Sequence, residues 1–282
     1  MSTVIWYVVM GIALIGMIWC AKNQKRFAHA QLCAGGCLVL VAISAIMALY
    51  GYFGNGDLNR LISNSKKFEL SKVDQVAKFV SQKFAGSKVV LLVKSDMLKN
   101  DPATSGSQIN VVEEMKKRLN GVDILETVVI PVTDPTAFTG NETEPPVYAP
   151  EEELSGIVFN AKFNECKKLK PDVIINLAGM PFNPDDSKNL VIWKWKKSDP
   201  KVILYEANAI GESFIPDDLK NALAAAVLSK NEVKFADGKA FDFAEDTVPD
   251  DLKQAFDLRF VIVTAENVED LVKNNVVSVM QN

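Results

Sequence analysis

The chain opens with two uninterrupted apolar runs and then changes character. Residues 4–20 (VIWYVVMGIALIGMIWC) and 32–53 (LCAGGCLVLVAISAIMALYGYF) carry no charge, and a helix needs about 20 apolar residues to cross a bilayer core. Between them, residues 20–31 (CAKNQKRFAHAQ) hold three cations and the chain's only histidine, His29, which reads as a loop residue. This pattern predicts a two-helix transmembrane hairpin over residues 1–56. Retention rather than cleavage is expected, since Met1-Ser2-Thr3 supplies no basic leader region and Trp19-Cys20-Ala21 is no small-residue cleavage site. Gly11 and Gly16 in the first run, with Ala34, Gly35, Gly36, Ser44 and Ala48 in the second, offer small faces for close helix packing. Lys22, Lys25 and Arg26 put the short connection on the cytoplasmic side. Residues 57–282 are therefore expected on the extracytoplasmic, periplasmic side of a bacterial inner membrane.

From residue 57 onward, strand and helix patterns alternate, the signature of a parallel sheet covered on both faces. A membrane-proximal linker and helix occupy 57–86. The helix is marked by Ser71 with Asp74 three residues on, and Val73, Val76, Ala77, Val80 and Phe84 keep helical spacing. Strands are predicted at 88–93 (KVVLLV), 124–132 (ILETVVIPV), 172–179 (DVIINLAG), 201–207 (KVILYEA) and 260–264 (FVIVT), with helices near 108–119, 151–169 and 267–273. Another helix is expected to open at Pro216-Asp217-Asp218, with proline in its first turn and acids at the positive end of its dipole. Asp237-Gly238, between two short alternating runs, predicts a hairpin, although the first run could equally be the next strand. The echo of IPDDLKNAL (215–223) in VPDDLKQAF (248–256) reads as two helices started by the same chemistry. The expected fold class is α/β: a transmembrane hairpin followed by a Rossmann-like three-layer domain, 57–282, with a mainly parallel sheet.

Charge narrows the partners. The first 56 residues hold three basic and no acidic side chains, so the remainder carries 28 basic against 35 acidic, a formal charge of −7. Nucleic-acid phosphates demand a basic face, so nucleic acid is excluded as a partner. Three of the four cysteines lie in or beside the apolar runs, which leaves Cys166 alone and permits no disulfide framework in the α/β part. Cys166, near Phe159 and Phe163 at helical spacing, reads as a buried apolar residue.

The pieces VVLLVKSD, PDVIINLAGMP, KVILYEA and FVIVTAENV resemble a Rossmann-like or flavodoxin-like lobe, in particular one lobe of the type 1 periplasmic binding proteins, over about residues 88–267. Those proteins clamp a ligand between two lobes, and this chain has length for one. The resemblance implies the α/β fold and leaves clamping within one chain in doubt.

In an open parallel sheet the usable crevice lies beyond the carboxyl ends of the strands, where strand order reverses. Those ends carry Ser95 and Asp96, Asp134, Gly179, and Glu206 with Asn208, which are the candidate ligand-binding residues. They could hold a hard cation or a ligand's amino group, or serve simply as turn formers. Thr104, Ser105 and Ser107, ahead of a helix, form a weaker anion-binding candidate. No nucleophile has an imidazole beside it, so no catalytic residue is assigned, and neither a cofactor nor a metal is specified. Two surface elements stand out: the proline-rich connection 131–150 and the aromatic–cation mixture IWKWKK (192–197). Three functions are compatible with these features. The leading one is an interaction or scaffold subunit of an envelope complex, with a protein partner held through the hairpin or the 131–150 loop; the alternative is a tethered small-molecule binding or sensing module, and the third is a carboxylate- or metal-dependent enzyme at the same edge.

Overall fold

The computed structural model describes residues 3–22, 30–52, 55–98, 109–132, 154–181, 183–207, 216–243 and 245–278. The chain divides into two compact units, residues 1–63 with 243–245, and residues 64–242 with 246–282. In the first unit, α1 (Thr3–Lys22) and α2 (Ala30–Tyr52) pack together. Ala13, Cys20 and Ser44 are buried, and the approach at Gly16 is close enough that a Cβ there would lie 3.2 Å from Cys37 Sγ. Ile12, Ile15, Ile18 and Trp19 of α1, and Leu38, Val39, Leu40 and Ile43 of α2, are exposed.

The two-span transmembrane hairpin expected from the sequence is corrected here: among the described residues, no helix is long and apolar enough to cross a membrane. The membrane partnership built on those spans is withdrawn with them. The orientation argument was built on the same spans; Lys25, Arg26 and His29 lie outside the described residues.

The second unit is built on a six-stranded sheet of order β2-β1-β3-β4-β5-β6. Its strands are β1 (Lys88–Lys94), β2 (Asp123–Ile130), β3 (Val173–Asn176), β4 (Lys201–Leu204), β5 (Leu223–Ser229) and β6 (Phe260–Val263). All neighbours are parallel except β5 and β6. Alternate side chains leave opposite faces of a strand, and each face carries its own core. Val89, Leu91, Val93, Val173, Ile175 and Ile203 meet α3 (Asn55–Lys83), α4 (Val111–Arg118) and α7 (Leu252–Arg259). Val90, Leu92, Ile130, Ile174, Val202 and Leu204 meet α5 (Gly156–Lys168) through Phe159, Phe163 and Cys166, and α8 (Val268–Lys273) through Val268. A short helix, α6 (Pro184–Lys188), separates β3 from β4. The α/β class with a mainly parallel sheet, covered on both faces, therefore holds for this part.

Several elements differ from expectation for identifiable reasons. Ser71 does not start a helix: α3 is already running, and the Ser71 hydroxyl donates back to Phe68 O at 2.7 Å. Helix α4 is capped by Asn110, whose Oδ1 accepts from Glu113 N at 3.0 Å. The two echoed segments also part ways. Asp251 caps α7 by accepting from Gln254 N at 2.8 Å, whereas Pro216–Lys220 makes only a 3-10 turn before the alanine-rich β5. Asp237-Gly238 does form a tight turn, with Gly238 at φ 87°, Phe235 N donating to Lys239 O at 2.8 Å and a single antiparallel bridge between Lys234 and Ala240.

Candidate functional site

Strand order reverses between β1 and β3: the chain passes from β1 out to β2, then returns to lay β3 on the other side of β1. The register makes this edge a step. Leu92 of β1 is level with Asn176, the last residue of β3, and Asn176 is level with Leu204, the last of β4. β1 continues two residues further and stays paired with β2 to Lys94 and Ile130, so the β1–β2 side stands about 7 Å above the β3–β4 side at roughly 3.3 Å per residue.

Asn176 makes the step. It is fully buried, its Oδ1 accepts from Ala178 N at 3.1 Å, and its Nδ2 donates to Gly179 O at 2.5 Å. Leu177 N and Ala178 N both donate to Leu92 O, at 2.8 and 3.1 Å. The strand therefore ends in a side-chain-made turn, which Gly179 completes at φ 78°, in the left-handed region that costs a residue with a side chain. On the high side, Ser95 closes β1 against β2: its hydroxyl donates to Val132 O at 3.2 Å and accepts from Val132 N at 2.9 Å. Asp96 follows, exposed, in the 3-10 turn Ser95–Leu98.

On the low side the edge is charged. Glu206, just past β4, has a side chain 57 % exposed, and its Oε1 lies 3.2 Å from the ammonium of Lys72, a side chain only 4 % exposed. Lys72 also pairs with Glu69 at 2.6 Å and sits over the rings of Tyr205, 4.8 Å away, and Phe260, 5.2 Å away. An ammonium this buried needs such partners, because desolvating an unpaired charge is costly. The Tyr205 hydroxyl donates to Glu69 Oε2 at 3.1 Å. Burial, and then the nearby carboxylate of Glu69, push the phenol well above its ordinary range, which keeps it neutral. The arrangement presents a hydroxyl, two accessible carboxylates and a glycine turn along one edge, with a lysine fixing the orientation of one carboxylate. It can accept hydrogen bonds from hydroxyl or ammonium groups of a small molecule.

Of the residues singled out by sequence, Ser95, Asp96, Gly179 and Glu206 lie along this edge. Asp134, Asn208, Thr104, Ser105 and Ser107 lie outside the described residues, as do residues 133–150 of the proline-rich connection. Among the described residues no group of three or more His, Cys, Asp or Glu could hold a metal ion. Sequence reasoning missed Lys72, Glu69, Tyr205 and Asn176. Two of these had a signal: Lys72 falls in the helical row Phe68, Lys72, Val76, Val80 that is otherwise apolar, and Asn176 interrupts the apolar run VIINLA.

No family model matches the chain, and no curated protein matches it. Two solved structures are similar to it. One is an ABC transporter solute-binding protein from Burkholderia graminis C4D1M in complex with D-arabinose, at 10% identity and a TM-score of 0.37, covering 72% of this chain and 61% of that protein. The other is the Caulobacter myo-inositol binding protein bound to myo-inositol, at 16% identity and a TM-score of 0.35, covering 72% of this chain and 60% of that protein. The chain spans about three fifths of the length of each.

Proposed function

We propose that the α/β domain, residues 57–282, is a small-molecule binding module whose ligand seats at the carboxyl edge of the sheet. The observation that carries this reading is the step at the β1–β3 reversal, which sets Ser95 and Asp96 above the Gly179 turn and the oriented carboxylate of Glu206. Open α/β sheets bind ligands outside the carboxyl ends of their strands at such a reversal. Acceptor groups dominate the edge, so the ligand class is a polar solute rich in donors: a polyol or an amino acid. An interaction-subunit role has no comparable observation behind it.

The test is a thermal-shift screen of polyols, D-arabinose and myo-inositol among them, and of amino acids. Calorimetric titration of any stabilising solute into the native protein and into the Asp96→Asn and Glu206→Gln variants then follows. Each substitution removes a charged acceptor and is expected to weaken binding about tenfold or more, at about 1.5–3 kcal/mol per hydrogen bond to a charged group. Unchanged affinity in both variants would place the solute elsewhere.

A further inference from the structure

The opposite edge of the sheet carries a second feature of different chemistry. Residues 162–201 hold nine lysines against five acids in a chain of net charge −4. The turn between α5 and β3 and the turn before β4 meet at the amino ends of these neighbouring strands, where Lys201 N donates to Asp172 O at 2.8 Å. They border an open, shallow cavity of about 420 Å³ lined by Lys167, Lys170, Lys197 and Lys201, with Asp172 and Asp199. That volume falls within the range of small-molecule sites.

The carboxylates are already engaged. Asp199 Oδ1 lies 2.7 Å from Lys167 Nζ and its Oδ2 accepts from Lys196 N at 2.8 Å, while Asp172 Oδ2 accepts from Lys88 N at 2.8 Å. Of the cations, Lys170 and Lys197 are exposed to solvent and Lys167 and Lys201 are half-buried. Lys201 donates only to the neutral carbonyl of Asn221, at 2.6 Å, and among the described residues the ammonium groups of Lys170 and Lys197 have no hydrogen-bond or carboxylate partner. Four ammonium groups against two carboxylates leave two uncompensated positive charges. Burial, and after it the neighbouring charge of Lys197, lower the pKa of Lys201.

The backbone supplies an independent observation. Lys170 stands just past the carboxyl end of α5 at φ 53°, a left-handed conformation normally taken there by glycine or asparagine. A lysine in that place costs roughly 1 kcal/mol of strain relative to glycine. The side chain that bears the cost is one of the two unpartnered cations of the cavity.

We propose that this cavity is an oxyanion site that takes a dianionic phosphate group, free or as a monoester. Lys170, Lys197 and Lys201 supply charge and donors, and Lys167 with Asp199 forms the fixed wall. Lysine is suited to this as a mobile point charge with three donors.

The test uses the full chain, titrated at low ionic strength with inorganic phosphate and, separately, with phosphatidylcholine vesicles containing phosphatidic acid. Saturable binding is expected, weakened about tenfold or more in Lys170→Gly and in Lys197→Ala, a loss of about 1.4 kcal/mol per tenfold. Glycine relieves the positive φ, so Lys170→Gly is expected to keep or raise the melting temperature while losing the anion, and misfolding cannot explain the loss. Binding of inorganic phosphate identifies a soluble phosphate source; binding confined to the vesicles identifies a lipid headgroup, with the same lysines required. Absence of saturable binding to either, or unchanged affinity when both lysines are replaced, would overturn the proposal.

Discussion

Asn176 does at one position what a strand's own backbone cannot. With both ends of its amide engaged at zero exposure, it ends β3 where β1 continues, and the step at the carboxyl edge follows. Replacing it with alanine removes the donor to the Gly179 carbonyl and leaves the Ala178 N–H only its bond to Leu92 O, and the expected cost is about 1–3 kcal/mol in urea unfolding. No loss of stability would remove Asn176 from the account. Lys72 makes a different prediction, because its stem packs against Tyr205 and Phe260 while its ammonium binds carboxylates that water can still reach. Lys72→Met retains the packing and is expected to destabilise less than Lys72→Ala, a ranking readable from unfolding midpoints. Cys166 was legible from sequence as a core residue, and it is fully buried. Desolvation, followed by the charge of Glu165, pushes its thiol up from 9.0 to about 12. The folded state holds this proton more tightly, so the contribution to stability is complete below pH 9 and is lost as pH rises from 9 to about 12. Mass-mapped alkylation at pH 8 should leave Cys166 unmodified in the native protein and modify it in urea; rapid native labelling would contradict its burial.

Continuous apolar runs such as KVVLLV and DVIIN were readable as strands because a strand buried on both faces needs no alternation. β5 was not readable, since LAAAVLS follows Pro-Asp-Asp and alanine favours helix when only local propensity is weighed. Tertiary packing decides instead: Ala225 and Ala226 are fully buried on opposite faces of the sheet, where small side chains let helices approach. Ala226→Leu should therefore overpack that core and cost about 1–3 kcal/mol, whereas a segment on a helix surface would tolerate it; equal stability would argue against a central β5. The apolar runs at the amino end illustrate the opposite limit. Hydrophobic content alone suggested spans, and the helices over those runs show Ala13, Cys20 and Ser44 buried with isoleucines and leucines outward, but not the length and apolarity of a span among the described residues. Of the candidate site, the strand-end residues could be placed from sequence because loops after parallel strands cluster on one edge. Lys72 and Glu69 could not, because they reach that edge from a helix that precedes the first strand.

The two edges of the sheet in the α/β unit differ in the charged groups they bring together. Acceptor groups with a single buried lysine lie at the carboxyl ends of the strands, and uncompensated lysines lie at the amino ends. The central claim concerns the carboxyl edge, and hydrogen exchange of the native chain with and without the solute selected by thermal shift tests it most directly. Slowed exchange in segments 94–98, 177–181 and 205–207 on addition of that solute, with segments 169–172 and 197–201 unchanged, is the predicted result. Unchanged exchange along the carboxyl edge, or protection confined to the amino edge, would contradict it.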